Sequence, residues 1–143
     1  MVKAIREDYK MLVKDIMSEK LFCFKENQII SISDILKLEK IRNIPVVNEE
    51  RKLVGLITHR ELISALAKKL NNIPVRDIMI KGVKAVEPET PLKGAIDVMI
   101  VNKFGCLPVV DNTRKLIGII TEVDLLKTLY DQTSMPAGFY INK

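Results

Sequence analysis

Ile44–Leu62 reads IPVVNEERKLVGLITHREL, and Leu107–Leu125 reads LPVVDNTRKLIGIITEVDL. The two stretches are 19 residues long, lie 63 residues apart and are identical at ten positions. Most other pairs exchange like for like, as Val54 with Ile117 and Leu56 with Ile119. Such self-similarity marks an internal repeat. Upstream, Asp15-Ile16-Met17 returns as Asp77-Ile78-Met79 at an offset of 62, so a one-residue indel lies between the two anchors. The chain divides into an arm or helix at 1–12, a first repeat at 13–70, a second at 71–130 and a tail at 131–143. A unit of about 60 residues is marginal alone. The copies are therefore expected to pack on each other about an approximate two-fold axis.

Each copy has one coarse reading. A short strand (Leu21–Phe24, Val83–Val86) precedes a helix. In the second copy Thr90 reads as the helix N-cap and Pro91 as the first helical residue. Leu92, Ala95, Ile96, Met99 and Ile100 then recur at helical spacing, as do Ile32, Ile35, Leu36 and Leu38 in the first copy. The strand Pro45-Val46-Val47 or Pro108-Val109-Val110 follows, then a polar turn. A second strand, Leu53–Ile57 or Leu116–Ile120, is close enough to form a hairpin with it. Thr58 and Thr121 stand where that strand ends and a last helix begins, about Arg60–Leu70 and Val123–Tyr130. The expected fold is mixed α/β (α+β): two pseudo-symmetric β-α-β-β-α units packed as a pair.

Composition narrows the function. The chain has 143 residues, 48% hydrophobic and 29% charged, a globular balance. Its longest apolar runs, Leu53–Ile57 and Leu116–Ile120 with glycine included, are five residues each, against the roughly 20 of a membrane span. The opening MVKAIREDYK is too charged for a signal peptide. A cytoplasmic protein is expected. The net charge of +5 fits a phosphate-bearing partner, but no block of five like charges occurs and aromatics are only 5%, which argues against nucleic acid. Cys23 and Cys106 are too few for a disulfide framework and are expected to stay unbonded. With His59, the only histidine, they show no metal-ligand spacing. The sequence contains no phosphate loop, no nucleophile elbow and no triad, so it offers no catalytic residues.

The remaining chemistry sits in Gly118-Ile119-Ile120-Thr121-Glu122-Val123-Asp124. Thr121 places a hydroxyl beside the unpaired N–H groups of a helix start, a place for an anion. Asp124 lies one turn on, and its carboxylate can accept from the two hydroxyls of a ribose. Thr-x-x-Asp is also a capping-box variant, with the acid bonded back to the cap. The first copy carries Thr58 and Glu61 at these positions, and Arg60 adds a cation suited to phosphate.

These residues resemble the CBS (cystathionine β-synthase) domain, which occurs in tandem pairs. The resemblance rests on Asp-Ile-Met at 15–17 and 77–79, Pro-Val-Val at 45–47 and 108–110, Gly-Leu-Ile-Thr at 55–58, Gly-Ile-Ile-Thr-Glu-Val-Asp at 118–124 and Val-Glu-Pro-Glu-Thr-Pro-Leu at 86–92. It covers roughly residues 10–130; the first copy departs at Lys25-Glu26-Asn27-Gln28, which lacks the usual Pro and Thr. The resemblance implies a disc-like module with two clefts, commonly a dimer. The clefts would take an adenosine-containing ligand such as AMP, ADP, ATP or S-adenosylmethionine and report it to another protein, here a separate effector chain. One cleft would combine Thr121 and Asp124 with Met17, Leu21, Phe22, Asn43, Ile44 and Pro45, with Phe22, Ile44 and Ile120 against the base. The other would combine Thr58, Arg60 and Glu61 with Met79, Val83, Lys84, Ala85, Cys106, Leu107 and Pro108. Asp124, shorter than Glu61, ranks the first cleft as the tighter.

The leading expectation is thus a regulatory nucleotide-binding module, homodimeric and without catalytic activity, needing no cofactor beyond its regulatory ligand. The alternative is a structural dimerisation or interaction module with empty clefts.

Overall fold

The computed structural model describes residues 11–38, 41–68 and 71–132. The tail at 131–143 and the arm at 1–12 therefore lie almost wholly outside the described residues. The two hairpins carry the architecture. In the first repeat β3 (Asn43–Val47) runs antiparallel to β4 (Leu53–Thr58), with Val46 opposite Gly55. In the second, β6 (Cys106–Val110) pairs with β7 (Leu116–Thr121), with Val109 opposite Gly118. Both hairpins carry a register shift at the same place, and the pairings superpose at the offset of 63. The turns match too. Asn48 Oδ1 accepts from Glu50 and Lys52 N–H at 3.0 and 2.9 Å, and Asp111 Oδ1 from Thr113 and Lys115 N–H at 2.9 Å each. This is the side-chain-to-backbone bonding that makes Asn and Asp turn formers.

The first strand of each unit is shorter than expected. β1 (Phe24–Lys25) pairs parallel with β3, and in the second repeat Val86 alone bridges to Val109. Leu21, Cys23, Val83 and Ala85 pack instead into the seam between repeats. A further short strand, β2 (Ile29–Ile30), pairs with β5 (Ile73–Pro74).

A 3-10 turn at Val13–Asp15 and five α-helices complete the described fold: α1 (Ile32–Lys37), α2 (His59–Ala67), α3 (Val75–Ile78), α4 (Leu92–Asn102) and α5 (Glu122–Gln132). Helix α1 is capped by Ser31, whose hydroxyl accepts from Asp34 N–H at 3.2 Å while Asp34 Oδ2 accepts from Ser31 N–H at 2.9 Å. The start of α4 differs from the sequence expectation. Pro91, extended at ψ 135°, is the cap rather than the first helical residue. Thr90 closes the preceding turn, its hydroxyl accepting from Glu87 N–H at 3.0 Å, and so is not the cap.

Each Asp-Ile-Met segment packs on the other repeat. Val13 N–H donates to Thr90 C=O at 2.9 Å, and Ser18 and Ile119 exchange backbone bonds at 2.9 and 3.0 Å. Symmetrically, Val75 N–H donates to Gln28 C=O at 2.8 Å, and Ile80 and Leu56 exchange bonds at 2.8 and 3.0 Å. The cores follow this exchange. Val13 belongs with Leu92, Met99, Leu107 and Ile120, whereas Ile73 and Val75 belong with Ile35, Ile44, Ile57 and Leu62. Gly55 and Gly118 permit the crossing. A Cβ on Gly55 would sit 2.5 Å from Met79 Sδ and 3.0 Å from Ile80 O, and one on Gly118 2.9 Å from Met17 Sδ.

Between the two helix-backed cores, the strand faces meet directly. Val47 and Leu53 pack on Val110 and Leu116, and Leu56 on Cys106 and Ile119. Each such side chain contributes about 1.5–3 kcal/mol relative to exposure. Neither repeat alone would cover this seam. Among the described residues, no helix is long and apolar enough to cross a membrane, and no group of acids, cysteines and histidine could hold a metal ion. Both thiols are free.

Candidate ligand-binding site

Helices α2 and α5 start directly where β4 and β7 end. His59 N–H donates to Arg42 C=O at 2.9 Å, and Glu122 N–H to Gly105 C=O at 3.1 Å. Each helix start is thereby tied to the residue just before β3 or β6. The cap residues close on themselves. Thr58 N–H and Oγ1 donate to Glu61 Oε1 at 2.7 and 2.6 Å, and Thr121 N–H and Oγ1 to Asp124 Oδ2 at 2.8 and 3.0 Å. The capping-box reading of these motifs is therefore realised in both copies. In each box the bonds fall on one carboxylate oxygen, and a carboxylate can accept further bonds on the other.

Between the two helix starts lies a cleft of about 600 Å³, within the range of small-molecule sites. It unites Thr58, Arg60, Glu61, Val83, Lys84 and Cys106, all expected for the Glu61 cleft. It also takes in Asn43 and Thr121, which the sequence assigns to the other cleft. Arg42, Lys103, Phe104 and Glu122 line it as well and were not expected. Arg42 and Gly105 stand one residue before the two hairpins at the repeat offset of 63, and nothing in that spacing marks Arg42 as a cleft residue. Glu122 faces Cys106. Burial, and then the Glu122 charge, push the Cys106 thiol up to about 12, so the sulfur is a neutral, inert wall.

Other expected site residues are elsewhere. Ile44, Leu107 and Ile120, expected as cleft walls, are 0% exposed in the helix-backed cores. Alternation along the strand turns them away from the seam. Pro45 and Pro108 are buried within their strands, and Met17 and Met79 lie against Gly118 and Gly55. Leu21 and Ala85 pack in the seam. Phe22 is half-exposed and meets Phe24 edge-on, ring centres 5.5 Å apart. Asp124 opens instead onto an outer hollow of about 380 Å³ with Asp15, Lys127 and Asp131.

Comparison with known proteins identifies the fold. The chain matches the CBS domain family over residues 13–68 and 75–131. It is 32% identical to an uncharacterized 17.7 kDa protein of Acidianus ambivalens, covering 88% of this chain and 77% of that one. It is also 32% identical to inosine-5′-monophosphate dehydrogenase of Methanocaldococcus jannaschii, but the match spans 88% of this chain and only 24% of the dehydrogenase. Among solved structures, the CBS domain pair of protein MJ0100 in complex with 5′-methylthioadenosine and S-adenosyl-L-methionine superposes with a TM-score of 0.73 at 30% identity, covering 86% of this chain and 98% of that one. CBSX2 in complex with AMP gives 0.73 at 28% identity, over 84% and 96%. With both repeats matched and the two equivalent hairpins in place, the chain belongs to the CBS domain family.

Proposed function

We propose that this chain is a regulatory module without catalytic activity, binding an adenosine-containing ligand in the cleft between α2 and α5. The observation that carries the reading is the cleft itself: about 600 Å³, with both helix starts and both threonines on its wall. Helix starts favour a negative group through the positive end of the helix dipole. The second oxygen of Glu61 can accept from a ribose hydroxyl. The ligands of the MJ0100 pair and CBSX2 support the adenosine class. The cavity favours the Glu61 side over the Asp124 side, the reverse of the order expected from side-chain length. The module acts in the cytoplasm on a separate effector protein.

A second reading, a structural interaction module, is favoured by an apolar surface on α4 and α5. Ile100, Val101, Leu126 and Leu129 are 68, 79, 63 and 62% exposed, and α5 buries no residue. A homodimer through this face is compatible with either reading and would sediment as such at micromolar concentration. Thermal unfolding with AMP, ATP and S-adenosylmethionine separates the two. A ligand at 100 times its Kd stabilises the native state by about 2.7 kcal/mol. No shift with any of the three leaves the interaction reading.

A further inference from the structure

We infer that the cleft selects polyphosphate: it takes a nucleoside tri- or diphosphate in preference to the monophosphate, and rejects the cationic S-adenosylmethionine. This rests on the adenosine-ligand reading above and narrows it to one ligand charge class.

Four cations, Arg42, Arg60, Lys84 and Lys103, ring the cleft, against two acids, Glu61 and Glu122. None of the four is in a salt bridge among the described residues, where the only such pair is Lys52–Glu50 at 3.5 Å. Glu61 is already bonded to Thr58. Unpaired like charges gathered on a concave wall repel one another and focus a positive field into the opening. The fold does not demand three of them: at the equivalent positions of the other repeat, Arg42 becomes Gly105, Arg60 becomes Val123 and Lys84 becomes Phe22, whereas Lys103 matches a lysine, Lys40.

Lys103 brings the fourth cation to the cleft wall. It ends α4 in the left-handed region at φ 57°. Glycine fits that position without steric cost, and a lysine there is strained. Arg51 and Arg114 adopt the same backbone conformation away from the cleft, so the strain assigns Lys103 no role; it makes glycine a substitution there that does not cost stability.

S-adenosylmethionine carries a sulfonium and an ammonium against one carboxylate, so it enters this field at a disadvantage. AMP brings two negative charges and ATP about four, and each added phosphate can meet another cation.

Calorimetry on the full chain in EDTA tests this with ATP, ADP, AMP, S-adenosylmethionine, adenosine and inorganic tripolyphosphate. The expected order is ATP, ADP, AMP, with ATP at least about 10-fold tighter than AMP and S-adenosylmethionine weaker than AMP. Raising salt should erode ATP affinity more than adenosine affinity. Arg60→Ala and Lys84→Ala should each weaken ATP about 10-fold and adenosine less than about 3-fold. Lys103→Gly should also weaken ATP while raising the melting temperature, so misfolding does not account for its loss. Equal affinities for AMP and ATP, or S-adenosylmethionine as the tightest ligand, would overturn the inference and leave the adenosine reading standing. Tripolyphosphate binding as tightly as ATP would support the polyanion preference and remove the adenosine reading. No binding by any probe would remove both.

Discussion

Arg60 and Val123 are the second residues of helices that the repeat makes equivalent. Both helices follow the last strand of a hairpin, both begin at a threonine, and both carry an acid three residues on that bonds back to that threonine. The backbone problem is the same, and the box solves it twice. The position beside it is not used by the box and diverges, to a cation in one copy and a β-branched apolar residue in the other. Lys84 and Phe22 diverge in the same sense. Duplication thus supplied two helix starts, and side chains that take no part in folding made one of them electropositive. Pseudo-symmetry of the fold does not imply symmetry of binding.

The largest effects should come from testing how closely the two halves truly match. Gly55→Ala and Gly118→Ala each push a methyl into the methionine exchanged from the other repeat. At Gly55 the new Cβ meets Met79 Sδ at 2.5 Å and the Ile80 carbonyl at 3.0 Å; at Gly118 it meets Met17 Sδ at 2.9 Å and the Ser18 carbonyl at 3.2 Å. A thioether can swing away, whereas a backbone carbonyl in a two-way bridge cannot. Overpacking costs about 1–3 kcal/mol, which exceeds the roughly 0.4–1 kcal/mol gained by stiffening the unfolded chain. Urea denaturation should show both variants destabilised, with Gly55→Ala near the upper end. If Gly118→Ala proves the worse, the two crossings are not ordered by contact distance.

Next in size are the two carboxylates. Glu61→Ala and Asp124→Ala should each cost about 1 kcal/mol of stability, because each removes the acid of a helix cap. Their effects on ligand should part. Glu61 lines the cleft and should cost nucleotide affinity about 10-fold, whereas Asp124, facing the outer hollow, should leave it within about 2-fold. Calorimetry on both variants decides. Loss of binding on Asp124→Ala with Glu61→Ala unaffected would restore the order that side-chain length alone predicts.

Much of the fold is legible in the sequence because each hairpin sets two short apolar runs either side of an Asx turn, and the repeat shows it twice. The exchange of Asp-Ile-Met segments is not legible in the repeat itself; only the resemblance sets Met17 with the second copy and Met79 with the first. A repeat gives the order of elements but not which copy each one packs on, and the short β2–β5 pairing has no period of its own. The site was half legible. Thr58, Arg60, Glu61 and Lys84 do meet in one cleft. Ile44, Leu107 and Ile120 could not be sorted from cleft to core, because these strands are buried on both faces and their apolar runs carry no alternation. Arg42 and Lys103 read as ordinary loop cations; only the folded chain gathers them.

The two cysteines offer a smaller contrast. Cys106 is 4% exposed with its thiol pushed to about 12, whereas Cys23 is half-buried at the seam. Burial, and then the Glu122 charge, keep the Cys106 thiol protonated at pH 8. Maleimide at pH 8 should therefore modify Cys23 first and reach Cys106 only on unfolding, with peptide mass mapping to tell them apart. Early labelling of Cys106 would mean that the Glu122 side of the cleft opens in solution.

The finest test sets the cap of α1 against that of α4. Helix α1 relies on the Asp34 carboxylate, while α4 starts at Pro91 with no side-chain cap and no acid in its first turn. The Ser31 backbone N–H, and then its hydroxyl, hold the Asp34 carboxyl below its ordinary 3.8. A depressed folded value means that the carboxylate stabilises the folded chain fully above the ordinary value and loses that effect as pH falls through the folded one. Acid should thus loosen α1 before α4, although α1 and α4 are equivalent in the repeat. Amide chemical shifts followed from pH 6 downward should show Ser31 N–H titrating with a midpoint below 3.8, while the first-turn amides of α4 stay still. A Ser31 midpoint at or above 3.8, or α4 amides moving in step with it, would show that the reciprocal bonds at Ser31 do not hold the charge.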